Sequence, residues 1–236
     1  MAIAAWRKGV AEFVGAFTLI FIGAGAIIST GGTDLLLVAL AHGLAIGVMA
    51  SALAHVSGGH FNPAVTLGAL VGRQISLRLA VIYWVSQLLG ATVAAIALLG
   101  VFPPLEWQNS HLGTPALGPA VGWGTAILVE AILTFFLVFV VYGTGIDPKG
   151  SFNAVGGLAI GLTISMDIMV GGPLTGAAMN PARWFGPAVV AQLYSLFATG
   201  TTPTFDNWYV YWIGPFLGGI VAGLLYVHVF REKSHS

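Results

Sequence analysis

Residues 57–64 read SGGHFNPA, and residues 175–182, 118 positions further along the chain, read TGAAMNPA. In both segments an asparagine directly precedes a proline. This order favours a helix start, because Asn is a preferred N-cap and Pro is preferred at the first helical position. The proline also disfavours helical geometry in the residue before it. We therefore predict two short helices that begin at Pro63 and Pro181, each capped by the preceding asparagine.

The composition of the chain is that of a membrane protein. Charged residues make up 7% of the 236 residues and apolar residues 57%, whereas a soluble domain carries about 25% charged residues. The formal net charge is zero and offers no basic surface to nucleic acid. Without cysteine there is no disulfide, thiolate nucleophile or thiolate metal site. These facts exclude a soluble enzyme and a nucleic-acid binder. They predict an integral protein of the lipid bilayer with no cofactor and no metal.

Six apolar stretches are long enough to cross a bilayer, which takes about 20 helical residues. They are Val10–Ile28, Leu35–Leu53, Leu79–Leu99, Ala126–Val141, Ala154–Val170 and Val210–Val229. The Asn-Pro-Ala segments lie in apolar stretches too short to cross. We therefore predict an all-α membrane protein with six transmembrane helices and two re-entrant half-helices. Their glycine-rich approaches, residues 57–59 and 171–173, are expected to be non-helical backbone, which at membrane depth must be buried in protein or line a wet cavity.

The basic residues predict the orientation of the chain. Seven of the eight fall where an even number of spans places them on one side, which should be the cytoplasm. These seven are Arg7, Lys8, Arg73, Arg78, Lys149, Arg231 and Lys233. The opposite connections, residues 29–34, 102–120 and 190–209, carry no Lys or Arg. We expect both termini in the cytoplasm and a multi-pass protein of the cell (plasma) membrane. Arg183 is the exception, and a lone arginine inside a membrane usually faces a wet cavity.

The sequence is an internal duplication. The Asn-Pro-Ala triplets are 118 residues apart, and so are the only membrane-embedded glutamates, Glu12 and Glu130. Each copy, about 1–110 and 119–236, holds three spans, so the second must sit upside down relative to the first. Inverted repeats usually place a transport path at their interface, here within a single channel domain over residues 1–236. The half-helices would meet there, and their N-termini would put positive potential on the path.

These features resemble the paired signatures of the aquaporins, or major intrinsic proteins. The resemblance rests on the triplets Asn62-Pro63-Ala64 and Asn180-Pro181-Ala182, the arginine after the second, the six spans and the two glutamates. It implies a homotetramer with one pore in each subunit and a passive water channel that excludes protons and ions. In such a pore Asn62 and Asn180 donate hydrogen bonds to the passing water.

The resemblance also implies four selectivity-filter residues, His42, Ile168, Ala177 and Arg183. Strictly water-selective members carry Phe, His, Cys and Arg there, and this chain keeps only the arginine. The set is most similar to that of plant tonoplast-type aquaporins, whose filters are wider. It implies that small neutral solutes (ammonia, urea, hydrogen peroxide) pass with water, and that Arg183 and His42 supply hydrogen-bond donors.

Three buried polar residues, Glu12, Glu130 and His60, are implied by the resemblance to support the pore loops structurally. For the glutamates the alternative is a proton relay, because an ionisable residue inside a membrane is a functional candidate by default. For Arg183 the alternative to a pore role is a buried ion pair with Asp167.

Two other functions compete with a passive channel. A proton-coupled secondary transporter also uses inverted repeats and broken helices. It needs a titratable group where its substrate binds, however, and the Asn-Pro-Ala pair offers only neutral donors. An intramembrane enzyme needs clustered ligands or a nucleophile with its base, and the histidines are scattered over different spans. We therefore favour a passive channel with no catalytic residue.

Overall fold

A computed structural model describes residues 3–150, 155–198 and 205–231 of the chain. Its α-helices, in chain order, are α1 (Ala5–Thr30), α2 (Leu35–Ser57), α3 (Pro63–Val71), α4 (Leu77–Val101), α5 (Pro104–Asn109), α6 (Trp123–Val141), α7 (Gly156–Thr175), α8 (Pro181–Ala198) and α9 (Val210–Leu225). Short π-helical turns extend α6 over Tyr142–Ile146 and α9 over Tyr226–Phe230. No β-strand occurs in these three ranges, and the all-α prediction is confirmed.

Six of the described helices are long and apolar enough to cross a membrane. They are α1, α2, α4, α6 with its extension, α7, and α9 with its extension. The six predicted spans are confirmed, although Ala154, the first residue of the fifth, lies outside the described residues. The first half-helix, α3, has nine residues, about 14 Å at 1.5 Å per residue, and cannot cross. It begins at Pro63 behind the N-cap Asn62, as predicted.

The approach to the second half-helix differs from the prediction. Residues 171–173 were expected to be non-helical, but α7 continues through Pro173 and ends at Thr175. A proline in a helix removes one backbone hydrogen bond, and Pro173 lies in the last turn of α7, where few bonds depend on it. Gly176 is the C-cap of α7: its φ of 77° is left-handed, and its N–H donates to Gly172 O at 3.0 Å. On the first side Gly58 and Gly59 are non-helical as expected, but Ser57, which was also expected to be non-helical, is the last residue of α2.

The outer connection expected over residues 190–209 is also shorter than predicted. The second half-helix, α8, runs on to Ala198, because residues 190–198 are largely apolar and contain no glycine or proline that would end the helix. Residues 199–204 of that connection lie outside the described residues.

The half-helices interlock the two halves of the chain. The long helices pair as α1 with α4, α2 with α7, and α6 with α9. The half-helix α3 packs mainly on α9, the last helix of the chain, and α8 packs mainly on α4. Glycines allow the close approach of α9 to α3: a methyl group on Gly219 would lie 2.6 Å from Ala64 O, and one on Gly223 would lie 2.6 Å from Gly68 O. Each half-helix is therefore held by the opposite half of the sequence.

Candidate functional site: a pore between two half-helices

The first pore loop is held by Glu12, which lies on α1 and is completely buried. Its Oε1 accepts hydrogen bonds from Ser57 Oγ at 2.6 Å and from the backbone N–H of His60 at 3.0 Å. Its Oε2 accepts from the backbone N–H of Phe61 at 2.6 Å. The backbone ahead of α3 has no helix or strand to satisfy its donors, and the carboxylate supplies the acceptors that a buried loop needs.

The second pore loop is held in the same way by Glu130 on α6, which is also completely buried. Its Oε1 accepts from Thr175 Oγ1 at 2.7 Å and from the backbone N–H of Ala178 at 2.9 Å. Its Oε2 accepts from the backbone N–H of Met179 at 2.7 Å. The acceptor sites of both glutamates are thus directed to loop donors, an arrangement suited to structural support and not to a proton relay.

The two asparagines cap their own helices and also bond across the pore. Asn62 Oδ1 accepts from Ala64 N at 2.8 Å, and its Nδ2 donates to Met179 O of the second loop at 2.8 Å. Asn180 Nδ2 donates in return to Phe61 O at 3.1 Å. Phe61 and Met179 have left-handed φ angles of 51° and 52°, which set the directions of these carbonyls. An amide nitrogen carries two hydrogens, so each asparagine keeps one for a passing molecule.

A narrow cavity runs between the two loops. Its wall includes the four predicted filter residues, the two asparagines of the triplets and one supporting histidine: His42, Ile168, Ala177, Arg183, Asn62, Asn180 and His60. The other predicted residues of the two triplets, Pro63, Ala64, Pro181 and Ala182, do not line this cavity.

The guanidinium of Arg183 is held by His42. Arg183 Nε donates to His42 Nε2 at 2.9 Å, and His42 Nδ1 lies 2.8 Å from Val38 O. Because a carbonyl oxygen can only accept, Nδ1 carries the proton and Nε2 is the acceptor. The imidazole is therefore neutral with both nitrogens engaged, and His42 has no N–H left for a solute, contrary to the expected donor role. The two residues are 141 positions apart, so no local pattern could reveal this bond.

Among the described residues, Arg183 forms no direct ion pair with a carboxylate. In the part of the chain that the structure describes, no ion pair joins it to Asp167, whose Oδ2 is buried without a hydrogen-bond partner. Arg183 itself is only 2% exposed, and its Nη1 has no hydrogen-bond partner in the described protein. The structure thus shows a buried cation in the cavity wall and not the alternative of a structural ion pair with Asp167.

Sequence reasoning missed a polar network behind the first loop. Gln87 on α4 donates from Nε2 to Glu12 Oε2 at 2.8 Å and to Thr66 Oγ1 at 2.9 Å. Thr66 Oγ1 in turn lies 3.1 Å from His60 Nδ1, which explains how His60 is oriented. A buried glutamine on an otherwise apolar span was the available signal.

The structure also places two residues for which the sequence predicted no role. Trp184 is buried and stacks on Tyr211, with ring centroids 5.7 Å apart, and Phe205 meets it edge-on. It therefore belongs to an aromatic cluster beside the filter. His111 is exposed and does not line the pore cavity.

Together the six spans, the two interlocked half-helices and the cavity between them, whose wall includes Asn62, Asn180 and Arg183, define a membrane channel. The major intrinsic protein family is matched over residues 1–226, and the chain belongs to that family. Aquaporin TIP4-4 of Zea mays is 42% identical, with 96% of this chain and 88% of that protein aligned. Aquaporin TIP2-1 of Arabidopsis thaliana is 40% identical, with 99% and 91% aligned. The X-ray structure of the aquaglyceroporin from Plasmodium falciparum matches with a TM-score of 0.82 and 26% identity, covering 96% of this chain and 97% of that one.

The family and the fold make this chain an integral multi-pass membrane protein and a passive channel for water and small solutes. It is not an enzyme.

Proposed function

We propose that the channel conducts water together with ammonia, urea and hydrogen peroxide, and that it excludes protons and ions. The observation that carries this proposal is the pair of neutral amide donors, one from Asn62 and one from Asn180, in the wall of one narrow cavity. A water that accepts from both amides has its lone pairs engaged and cannot pass a proton along a chain of waters. The carboxylates of the nearby glutamates accept hydrogen bonds from loop donors, and neither Glu12 nor Glu130 lines the cavity where a proton-coupled transporter would bind its substrate.

The filter that we propose consists of His42, Ile168, Ala177 and Arg183. Arg183 lies in the cavity wall and repels cations, since positive charge in a pore of low dielectric is an electrostatic barrier. Ile168 and Ala177 make part of the wall apolar, so a solute beside them needs no hydrogen-bond partner there. His42 serves the filter by holding Arg183. A filter with one cationic and two apolar side chains suits small neutral molecules that need few hydrogen-bond donors.

A solute panel tests this proposal. Stopped-flow light scattering of proteoliposomes compares water, urea and glycerol, with a pH-sensitive dye for ammonia. We expect water, ammonia and urea to permeate well above empty liposomes. The double variant Ile168→His/His42→Phe adds bulk and should reduce urea and ammonia flux more than water flux. A matched control is Leu162→Ala, on the same helix but exposed on the outside of the helix bundle. A parent protein that already excludes ammonia and urea as strictly as the double variant contradicts the solute range.

We also propose that residues 1–110 and 119–236 are inverted repeats of one channel domain over residues 1–236. The matched loop contacts of Glu12 and Glu130 support this proposal.

Membership of the family supports a homotetramer with a pore in each subunit. Native mass spectrometry in detergent tests this state: the expected mass is that of four chains, and the mass of a monomer would contradict it. Seven basic residues on one side support cytoplasmic termini. The plasma membrane stays a prediction from sequence alone, because the TIP-type relatives give it no support.

A further inference from the structure

Gly23 on α1 lies against the imidazole of His42. A methyl group on the Cα of Gly23 would fall 2.5 Å from His42 Cδ2, 2.5 Å from Nε2 and 2.8 Å from Cε1. Carbon atoms in contact normally sit about 3.5–4.0 Å apart. Any side chain at position 23 therefore requires the imidazole to be somewhere else.

The imidazole has little freedom to move. It is 4% exposed, and its two nitrogens are held by Val38 O and by Arg183 Nε at 2.8 and 2.9 Å. Because three adjacent ring atoms lie at nearly equal distances from the added methyl group, the methyl group would press on the face of the ring. To recover ordinary contact the ring must shift by about 1 Å. It then cannot keep both hydrogen bonds in their present alignment.

We propose that Gly23 is a positioning residue of the selectivity filter. Its missing side chain lets the imidazole of His42 lie close to α1, where Nε2 can accept from Arg183 and hold the guanidinium against the cavity wall. The inference rests on the proposed filter role of His42 and Arg183, and it extends the filter to a residue that lines no part of the pore.

A nearby glycine on the same helix behaves differently. A methyl group on Gly25 would lie 3.5 Å from Leu98 Cδ2 and 3.7 Å from Phe102 Cε2, which is ordinary packing distance. The requirement at position 23 is therefore not a general need for small residues along α1. Gly25→Ala is accordingly a matched control, with the same substitution, the same helix and a buried site away from the filter.

The test is a double-mutant cycle. Gly23→Ala is made in the parent protein and in the His42→Ala variant, which removes the ring that the methyl group would meet. Water permeability per folded channel is measured by stopped flow in proteoliposomes, and folded protein is counted by size-exclusion chromatography. In the parent we expect Gly23→Ala to lower water permeability about threefold or more, since the shape of the constriction sets the flux. Gly25→Ala should leave it unchanged.

In the His42→Ala background, Gly23→Ala should change the permeability by less than about 1.5-fold, because coupled residues are non-additive only while both are present. Equal losses in both backgrounds, or no loss in the parent, would overturn the proposal. Loss of folded protein in both backgrounds would also overturn it, since Gly23 would then serve helix packing. If Gly23→Ala lowers the amount of folded protein in the parent background but not in the His42→Ala background, the result supports the proposal.

The double-mutant cycle measures water permeability only, so its result does not depend on whether urea or ammonia permeates. If the parent conducts no urea or ammonia, that range fails while the coupling between positions 23 and 42 can still be measured. If His42→Ala alone leaves the ratio of urea to water flux unchanged, the filter role of His42 fails, whatever the cycle gives.

Discussion

The two pore loops are built alike to within a few tenths of an ångström. In the first, Ser57 Oγ lies 2.6 Å from Glu12 Oε1, and in the second, Thr175 Oγ1 lies 2.7 Å from Glu130 Oε1. In both loops two successive backbone N–H groups donate to the two carboxylate oxygens. In each loop a tyrosine hydroxyl also donates a hydrogen bond to a backbone carbonyl: Tyr83 donates to Ser57 O, and Tyr211 donates to Thr175 O.

The loops differ in what surrounds this shared core. Gln87 reinforces Glu12 in the first half, whereas the corresponding position in the second half, reached by the 128-residue offset between Tyr83 and Tyr211, is Pro215. The residue after Asn-Pro-Ala is Val65 in the first loop and Arg183 in the second. The contacts that hold the loops thus occur twice, and the arginine that we propose for the filter occurs once.

The largest effect is expected from removing either glutamate. Glu12→Ala and Glu130→Ala each leave two buried backbone N–H groups and a hydroxyl without an acceptor, and each such group costs about 1–3 kcal/mol. Both variants should lose most of their folded protein, measured as the monodisperse fraction in size-exclusion chromatography. Leu89→Ala, a lipid-facing change on α4, is the control and should not. If only one of the two alanine variants loses its folded protein, the two glutamates do not have equivalent roles in their loops.

Arg183→Val makes the second loop resemble the first at the position that differs most. Val65 shows that the residue after Asn-Pro-Ala can be apolar, so the variant should fold. Without the cation, the barrier to protons and cations falls. We expect proton flux, followed with a pH-sensitive dye in liposomes, to rise about tenfold or more above the parent while water still passes. An unchanged proton flux would mean that the loop cores exclude protons without the arginine.

A thiol in the second loop tests which side chain borders the constriction. The parent has no cysteine and should resist mercurials. Ala177→Cys puts a thiolate, a good metal ligand, into the cavity wall. Water flux in this variant should fall several-fold with a mercurial and recover with a thiol reductant. Inhibition of the parent, or a resistant variant, would remove Ala177 from the filter.

The smallest effect concerns Gln87, which only the first loop has. Gln87→Leu removes hydrogen bonds to Glu12 and Thr66, and a hydrogen bond to a charged group is worth about 1.5–3 kcal/mol. Glu12 keeps its three loop donors, so the variant should fold with a lower unfolding temperature in detergent. The second loop does without such a donor, so water flux should be close to that of the parent. Flux lost without a change in unfolding temperature would assign Gln87 to the pore instead.

Local patterns predicted the fold better than they predicted the site. The order of Asn62 and Pro63 fixes a helix start through neighbouring atoms, and it was confirmed. Pro173 misled because a proline removes the hydrogen bond to the residue four positions earlier without preventing the helix from continuing, here for two more residues. The bond between His42 and Arg183 and the clearance at Gly23 join residues from different helices, and only the folded chain brings them together.

The central claim is that the two glutamate-held loops form a path for water that protons cannot use. Osmotic water permeability and proton flux measured on the same proteoliposomes test it most directly. The account predicts water permeability well above that of empty liposomes, unsaturated and independent of a pH gradient, with proton flux no greater than in empty liposomes. Proton flux on the scale of the water flux, or water permeability no higher than in empty liposomes, would contradict it.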